Sequence, residues 1–254
     1  TELGLLVWDF LERVGHEPNE GFYENMIMTF VMSYRRDQDL FDCMAEMVQE
    51  KGYHPSRALI RSVSRSLRYS VPRIDNAFFI ITEDAKRKAS LWSLNTIISA
   101  CGETGEVDRA TDTLAHMDQL GIEPNADSYS FCLESLANEL ERFFAEEETS
   151  IIQSRLDAAE SLLDAMEARG IVCSPHVLHQ YIRVLLAADE IDRATQTIHD
   201  AFEDGIVDVL NVTLLIVAEA ESKRNNHDAA RRLAHLTTEP LHFLHERLRR
   251  RAQG

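Results

Sequence analysis

Apolar residues recur at helical spacing along residues 92–125: Leu94, Ile97, Ile98 and Cys101 form one stripe, and Val107, Leu114 and Met117 form a second. The short turn "GETG" separates the two stripes. Asp108 falls in the first turn of the second helix, where negative charge suits the helix dipole, and Ala110 is small enough to let two helices cross closely. The pattern predicts a helical hairpin.

The second helix supplies a template: an Asp, an Ala two residues on, apolar residues at +4 and +7 from the Ala, and a Gly at +11. It reads Asp108, Ala110, Leu114, Met117 and Gly121, then Asp157, Ala159, Leu163, Met166 and Gly170, then Asp192, Ala194, Ile198, Ala201 and Gly205. Asp75 and Ala77 open a further copy without the Gly, and Ala229, Leu233 and Leu236 fit another. The anchor alanines Ala77, Ala110, Ala159, Ala194 and Ala229 are separated by 33, 49, 35 and 35 residues. The long step places an insertion of about 14 residues near 141–154, "ERFFAEEETSIIQS". "VGHEPN" at 14–19 and "LGIEPN" at 120–125 are the same mark three repeats apart.

A period near 35 built from two helices predicts an all-α, right-handed solenoid, each hairpin burying its apolar faces on its neighbours. The expected units are a partial repeat over 1–19, repeats over 20–56, 57–90, 91–125, 126–174 (with the insertion) and 175–209, and a last repeat with a closing helix over 210–254. Residues 1–19 read as the second half of a hairpin, so further chain is expected upstream. In the closing helix Leu241, Leu244 and Leu248 share a stripe.

The unit "LNTIISACGETGEVDRATDTLAHMDQLGIEPN" lacks the early Trp, Leu-Gly and Tyr of tetratricopeptide repeats. Its Asn-Thr-Ile-Ile, Gly turn, Val-Asp-x-Ala, late Met and final Gly-Ile-x-Pro-Asn resemble the pentatricopeptide repeat consensus instead. The resemblance is strong over 91–125, good over 126–209 apart from the insertion, and degenerate over 20–90.

The resemblance implies a protein of mitochondria or chloroplasts that holds single-stranded RNA in a concave groove, one base per repeat. In that family the main readers are the fifth residue of the first helix and the last residue of the repeat. Carried onto this chain, the pairs are Asn95 with Asn125, Ser130 with Ser174, His179 with Val209, and Arg61 with Ser90; in the first full repeat, Glu24 or Asn25 pairs with Ser56. Asn95 with Asn125 is a usual pair and favours pyrimidines in the family. Val209 cannot hydrogen-bond a base edge, and Arg61 suits phosphate better than a base. The code is therefore expected at about one repeat.

Charge complicates this picture. The 254 residues carry a net charge of −17, which repels a phosphate backbone. Yet residues 57–90 hold eight basic residues against three acids, and Arg57, Arg61, Arg65 and Arg68 fall on one helix face. As part of a first helix, this stripe is expected to line the groove and contact phosphate; the other reading is a solvated face, or one paired with acids of the same chain. A second run, Arg247, Arg249, Arg250 and Arg251, closes the chain. The acidic remainder points to protein partners, and Phe143 and Phe144 beside Glu146, Glu147 and Glu148 form either a docking knob or a helix extension.

No P-loop, dinucleotide fingerprint or G-x-S-x-G occurs, and His176–His179 and His242–His245 lack a third metal ligand, so neither cofactor nor metal is expected. Cys43, Cys101, Cys132 and Cys173 lie far apart in apolar helical patterns and read as buried thiols. No apolar run is long enough to span a membrane. The expectation is a non-catalytic organellar protein of RNA metabolism or translation, mitochondrial first and chloroplast as the alternative. It would bind single-stranded or ribosomal RNA. The other reading is a structural or adaptor subunit of an organellar ribonucleoprotein, such as a mitochondrial ribosome, binding mainly protein. An upstream transit peptide would accompany either.

Overall fold

The computed structural model describes residues 2–33, 36–68, 70–83, 89–142, 149–203 and 209–236. All regular structure among them is helical: α1 (Glu2–Arg13), α2 (Glu20–Val31), α3 (Asp37–Ala45), α4 (Arg57–Leu67), α5 (Val71–Thr82), α6 (Leu91–Thr104), α7 (Val107–Gln119), α8 (Ala126–Arg142), α9 (Thr149–Ala168), α10 (Pro175–Ala187), α11 (Ile191–Glu203), α12 (Asn211–Lys223) and α13 (His227–His235). A π turn, Glu46–Glu50, prolongs α3. The closing helix expected over 240–254, its arginine run, and Phe143, Phe144 and Glu146–Glu148 of the insertion lie outside the described residues.

The helices gather into two compact units, Thr1–Ser135 and Leu136–Gly254. In the first, the leading helices stack in a row, α2 on α4 on α6, while the following helices α3 and α5 stack beside them. Ile27, Ile60, Val63, Ile74, Ile97 and Ile98 fill the space between the rows and are fully buried. Each such side chain contributes roughly 2–3 kcal/mol of burial. Helix α1 docks on α2 through Trp8, whose ring lies 5.6 Å from Phe22 and meets Tyr23 edge-on at 5.2 Å. In the second unit α10 packs on α11 and α12, and α12 on α13.

Turn chemistry repeats with the helices. Gly121 ends its hairpin at φ +69° with open space around the missing Cβ, and Gly15, Gly52 and Gly170 hold matching positions. The turn inside the hairpin also needs a left-handed residue. Gly105 supplies it in one repeat, and Asp189 and Asn225 take it in two others. The same backbone bond closes each: Glu106 N to Cys101 O, Glu190 N to Leu185 O, and Asn226 N to Glu221 O. This equivalence corrects one mark of the template. The amides of Ala110 and Ala194 donate to the backbone carbonyls of Glu106 and Glu190, and that of Ala230 donates to the Asn226 carbonyl, whereas Ala229 N meets only the Asn226 side chain. The preceding Asp228 then takes the place of Asp108 and Asp192.

Within each unit, charge pairs link neighbouring second helices. Arg109 of α7 pairs with Asp75 of α5, and Arg193 of α11 pairs with Glu160 of α9. Arg73 of α5 is bidentate on Asp37 of α3, at 2.6 and 3.1 Å, and also donates to the Ser66 carbonyl of α4 at 2.6 Å. In the second unit the buried Glu221 accepts from Thr195 at 2.7 Å, Arg224 at 2.6 Å and Asn226 at 3.0 Å. Desolvation opposes its charge, but these donors outweigh it and hold the carboxyl below its ordinary range.

Candidate nucleic-acid interface

The residues at the repeat ends begin the next helix. Asn19 caps α2 by accepting from Phe22 N at 3.0 Å, and Ser56 caps α4 by accepting from Leu59 N at 3.2 Å. Ser90 and Ser93 form a reciprocal capping box on α6, and Ser174 accepts from Val177 N at 3.3 Å on α10. Asn125 accepts from Ser128 N at 3.1 Å, while Ser128 Oγ accepts from Asn125 N at 3.1 Å. Each side chain satisfies an amide that a helix start leaves without a partner. Val209 is the exception: the N-cap position of α12 falls to Leu210, which offers no side-chain cap. Five small polar residues, each just ahead of an apolar-periodic run, are themselves a sequence signal for helix starts.

In two repeats the fifth residue of the leading helix meets that cap. Asn95 Nδ2 donates to Asn125 Oδ1 at 3.2 Å, and Asn95 Oδ1 accepts from Ser128 Oγ at 2.7 Å. The Asn pair is thus brought together, but Asn95 is 0% exposed and both ends of its amide are occupied within the chain. In the first full repeat Glu24 is the residue that reaches Ser56, through the Ser56 amide at 3.5 Å, whereas Asn25 bonds back to Gly21 O. Ser130 is buried in the first unit and accepts from Arg57 at 3.2 Å; its expected partner Ser174 belongs to the second unit.

His179 sits against Thr213, with 2.9 Å between Nδ1 and Oγ1. Burial, then Arg183 and His176, push its ring down to about 4. A depressed histidine pKa means the unfolded chain binds the proton more readily. The second unit should therefore lose stability as pH falls from about 6.5 toward 4. His179→Gln should flatten that part of the pH–stability curve in thermal melts, and an unchanged slope would contradict the assignment.

The arginine stripe of α4 turns inward toward its own chain. Arg57 pairs with Asp127 of α8 and donates to Ser130, and its guanidinium lies 4.7 Å from the Phe131 ring centre. Arg61 pairs with Glu134 of α8 at 2.7 Å and lies 4.8 Å from the same ring. Both therefore reach from α4 to α8, while α6, packed on α4, also meets α8 at Ser128 and Phe131. Ser93–Gly102 of α6 are consequently buried on every side. Desolvation and the neighbouring Arg61 push Arg57 down to about 10, still a cation at neutral pH.

Arg65 and Arg68 are placed differently. Both approach Glu103 of α6, at 3.5 and 3.0 Å, yet their side chains stay 63% and 49% exposed, against 23% and 20% for Arg57 and Arg61. Four guanidinium groups thus meet three carboxylates, Asp127, Glu134 and Glu103. This is the pairing with acids of the same chain that the charge balance allowed, with positive charge left accessible at the end of α4.

No group of three or more His, Cys, Asp or Glu among the described residues is placed to hold a metal ion, and no helix among them is long and apolar enough to cross a membrane. Burial raises the thiols of Cys43 and Cys101 to about 12, and that of Cys132 higher still.

Residues 90–138 match the PPR repeat family. No curated protein matches the chain. Among solved structures, the pentatricopeptide repeat protein PPR10 from maize is similar at a TM-score of 0.51 and 12% identity, over 96% of this chain and 37% of that one. The nuclear proteinaceous RNase P 2 from A. thaliana gives a TM-score of 0.43 at 13% identity, over 73% of this chain and 38% of that one. The maize protein in complex with an 18-nt psaJ RNA element gives 0.28 at 15% identity, over 90% and 46%. The chain thus spans under half the length of each. Residues 90–138 thus carry the signature of the PPR repeat family, and the likeness to the maize protein shows an all-α repeat solenoid fold.

Proposed function

We propose that this chain binds single-stranded RNA along the leading helices of its repeats, contacts phosphate first, and serves organellar RNA metabolism without chemistry of its own. The observation that carries this reading is the α4 stripe, where Arg65 and Arg68 keep exposed guanidinium groups beside a single shared carboxylate, Glu103. The maize protein whose fold it shares has been solved with an RNA element. Asn95 and Asn125 would read one base, and Arg57 and Arg61 would add phosphate contacts. The family's habit supports a mitochondrial or chloroplast site of action.

A second reading is favoured by one observation: Arg57 and Arg61 are already neutralised by Asp127 and Glu134 in a chain of net charge −17. In that reading the protein is an adaptor inside an organellar ribonucleoprotein, where other chains supply the positive charge.

The two differ in what the isolated protein does with RNA. Fluorescence anisotropy with a labelled uridine oligomer should show binding at low salt that weakens steeply as salt rises. Arg65→Gln/Arg68→Gln should lower the affinity by about tenfold and make the salt dependence shallower. No binding at low salt would sink the RNA reading and leave the adaptor.

A further inference from the structure

We infer that the link from Arg57 and Arg61 to α8 is a gate: Asp127 and Glu134 stand in for RNA phosphates and hold the groove shut over Asn95 until phosphates displace them. This inference rests on the RNA-binding reading and adds a regulatory step to the same site.

Three observations lead there. First, the pair that resembles a base reader is inaccessible as it stands, with Asn95 fully buried and its amide spent on Asn125 and Ser128. Second, the link beside it is made of exchangeable contacts: Arg57 and Arg61 reach α8 through carboxylates, a hydroxyl and the face of Phe131, and Asp127, which holds Arg57, is the neighbour of the Ser128 that holds Asn95. A phosphate oxygen satisfies a guanidinium as well as a carboxylate does, so displacement costs little charge-assisted hydrogen bonding. Third, the two guanidinium groups crowd one ring, so two like charges stand side by side in the closed position.

The order of events follows from exposure. Arg65 and Arg68 meet an incoming phosphate first because they are open to solvent. The next phosphates along the strand then compete for Arg61 and Arg57 with Glu134 and Asp127. Release of those carboxylates, which repel RNA once unpaired, swings the charged ends of α4 and α8 apart and uncovers Asn95. The closed state thereby screens out anions too short to engage both ends of α4.

The test compares the full chain with Asp127→Asn, which weakens the cover without touching an arginine. Hydrogen exchange of the Asn125 and Ser128 amides, which the Asn–Ser cluster holds, should quicken about tenfold in the variant. Affinity for a single-stranded uridine oligomer should rise about fivefold. Asp112→Asn, on the exposed side of α7, removes the same charge elsewhere and should change neither. Should Asp127→Asn fail to fold, Arg57→Gln opens the cover from the other side: exchange quickens but affinity does not rise. Unchanged exchange in folded Asp127→Asn overturns the gate even where RNA binds. An equal gain in Asp112→Asn also overturns it, as an effect of net charge alone. Faster exchange with no RNA bound by either protein supports the opening and sinks the RNA-binding reading by itself.

Discussion

Gly102→Val should destabilise the first unit by about 3 kcal/mol. A Cβ at Gly102 would stand 2.9 Å from the Phe131 carbonyl oxygen and 3.2 Å from Glu134 Oε2. The nearer obstacle is backbone of α8, which cannot rotate away as a side-chain tip can. Alanine would recover some of its cost through better helix propensity, about 1 kcal/mol over glycine in a helix interior. Valine gains less of that and adds two further carbons at the crossing. Both tryptophans, Trp8 and Trp92, lie in the first unit, so their fluorescence reports its unfolding selectively. Urea titration should show a lower midpoint at unchanged slope. A midpoint within error of wild type would mean that α6 and α8 do not approach as closely as the structure has them.

Asp37→Ala should cost the same unit about 2–3 kcal/mol, somewhat below the loss expected for a fully buried pair. Arg73 is bidentate on Asp37, and both side chains are mostly buried. Removing the carboxylate deprives a mostly buried guanidinium among α3, α4 and α5 of its bidentate partner. It also takes an acid from the first turn of α3, where it favours the helix dipole. The double change Asp37→Ala/Arg73→Met should restore most of the loss, because the burial of an unpaired charge is the larger part of the cost. Equal midpoints for Asp37→Ala and wild type would place the pair among ordinary surface contacts, worth little.

The hairpins were legible because two periodicities coincide in the sequence, 3.6 residues within a helix and about 35 between repeats. Ala110 and Ala194 are buried at equivalent turns, and Gly121 and Gly170 adopt the left-handed conformation that ends a hairpin. The template slipped by one at Ala229 because two alanines stand side by side there. Only the left-handed turn at Asn225 distinguishes Ala230 as the equivalent. Asn125 was legible as a partner of Asn95 but not as a helix cap already committed to Ser128. One residue serves local structure and the aligned reading position together, and alignment shows only the second.

The arginine stripe shows where sequence reasoning stops. Helical spacing puts Arg57, Arg61, Arg65 and Arg68 on one face, and the same spacing holds whether that face meets phosphate or carboxylate. What divides the four is the distance to α8, a tertiary quantity. Asp127 and Glu134 lie 70 or more residues downstream of Arg57, and nothing in their own neighbourhood marks them as its partners. The −17 net charge is therefore partly spent inside the molecule, neutralising Arg57 and Arg61 of the α4 stripe.

Ultraviolet cross-linking of the purified chain to a uridine oligomer, read out by mass spectrometry, tests the central claim most directly. Cross-links should fall on the leading helices of the first unit, in peptides covering Arg57–Leu67, Leu91–Ile98 and Ala126–Phe131. Cross-links confined to the second helices α5 and α7, or none at low salt, would contradict RNA binding along the leading helices.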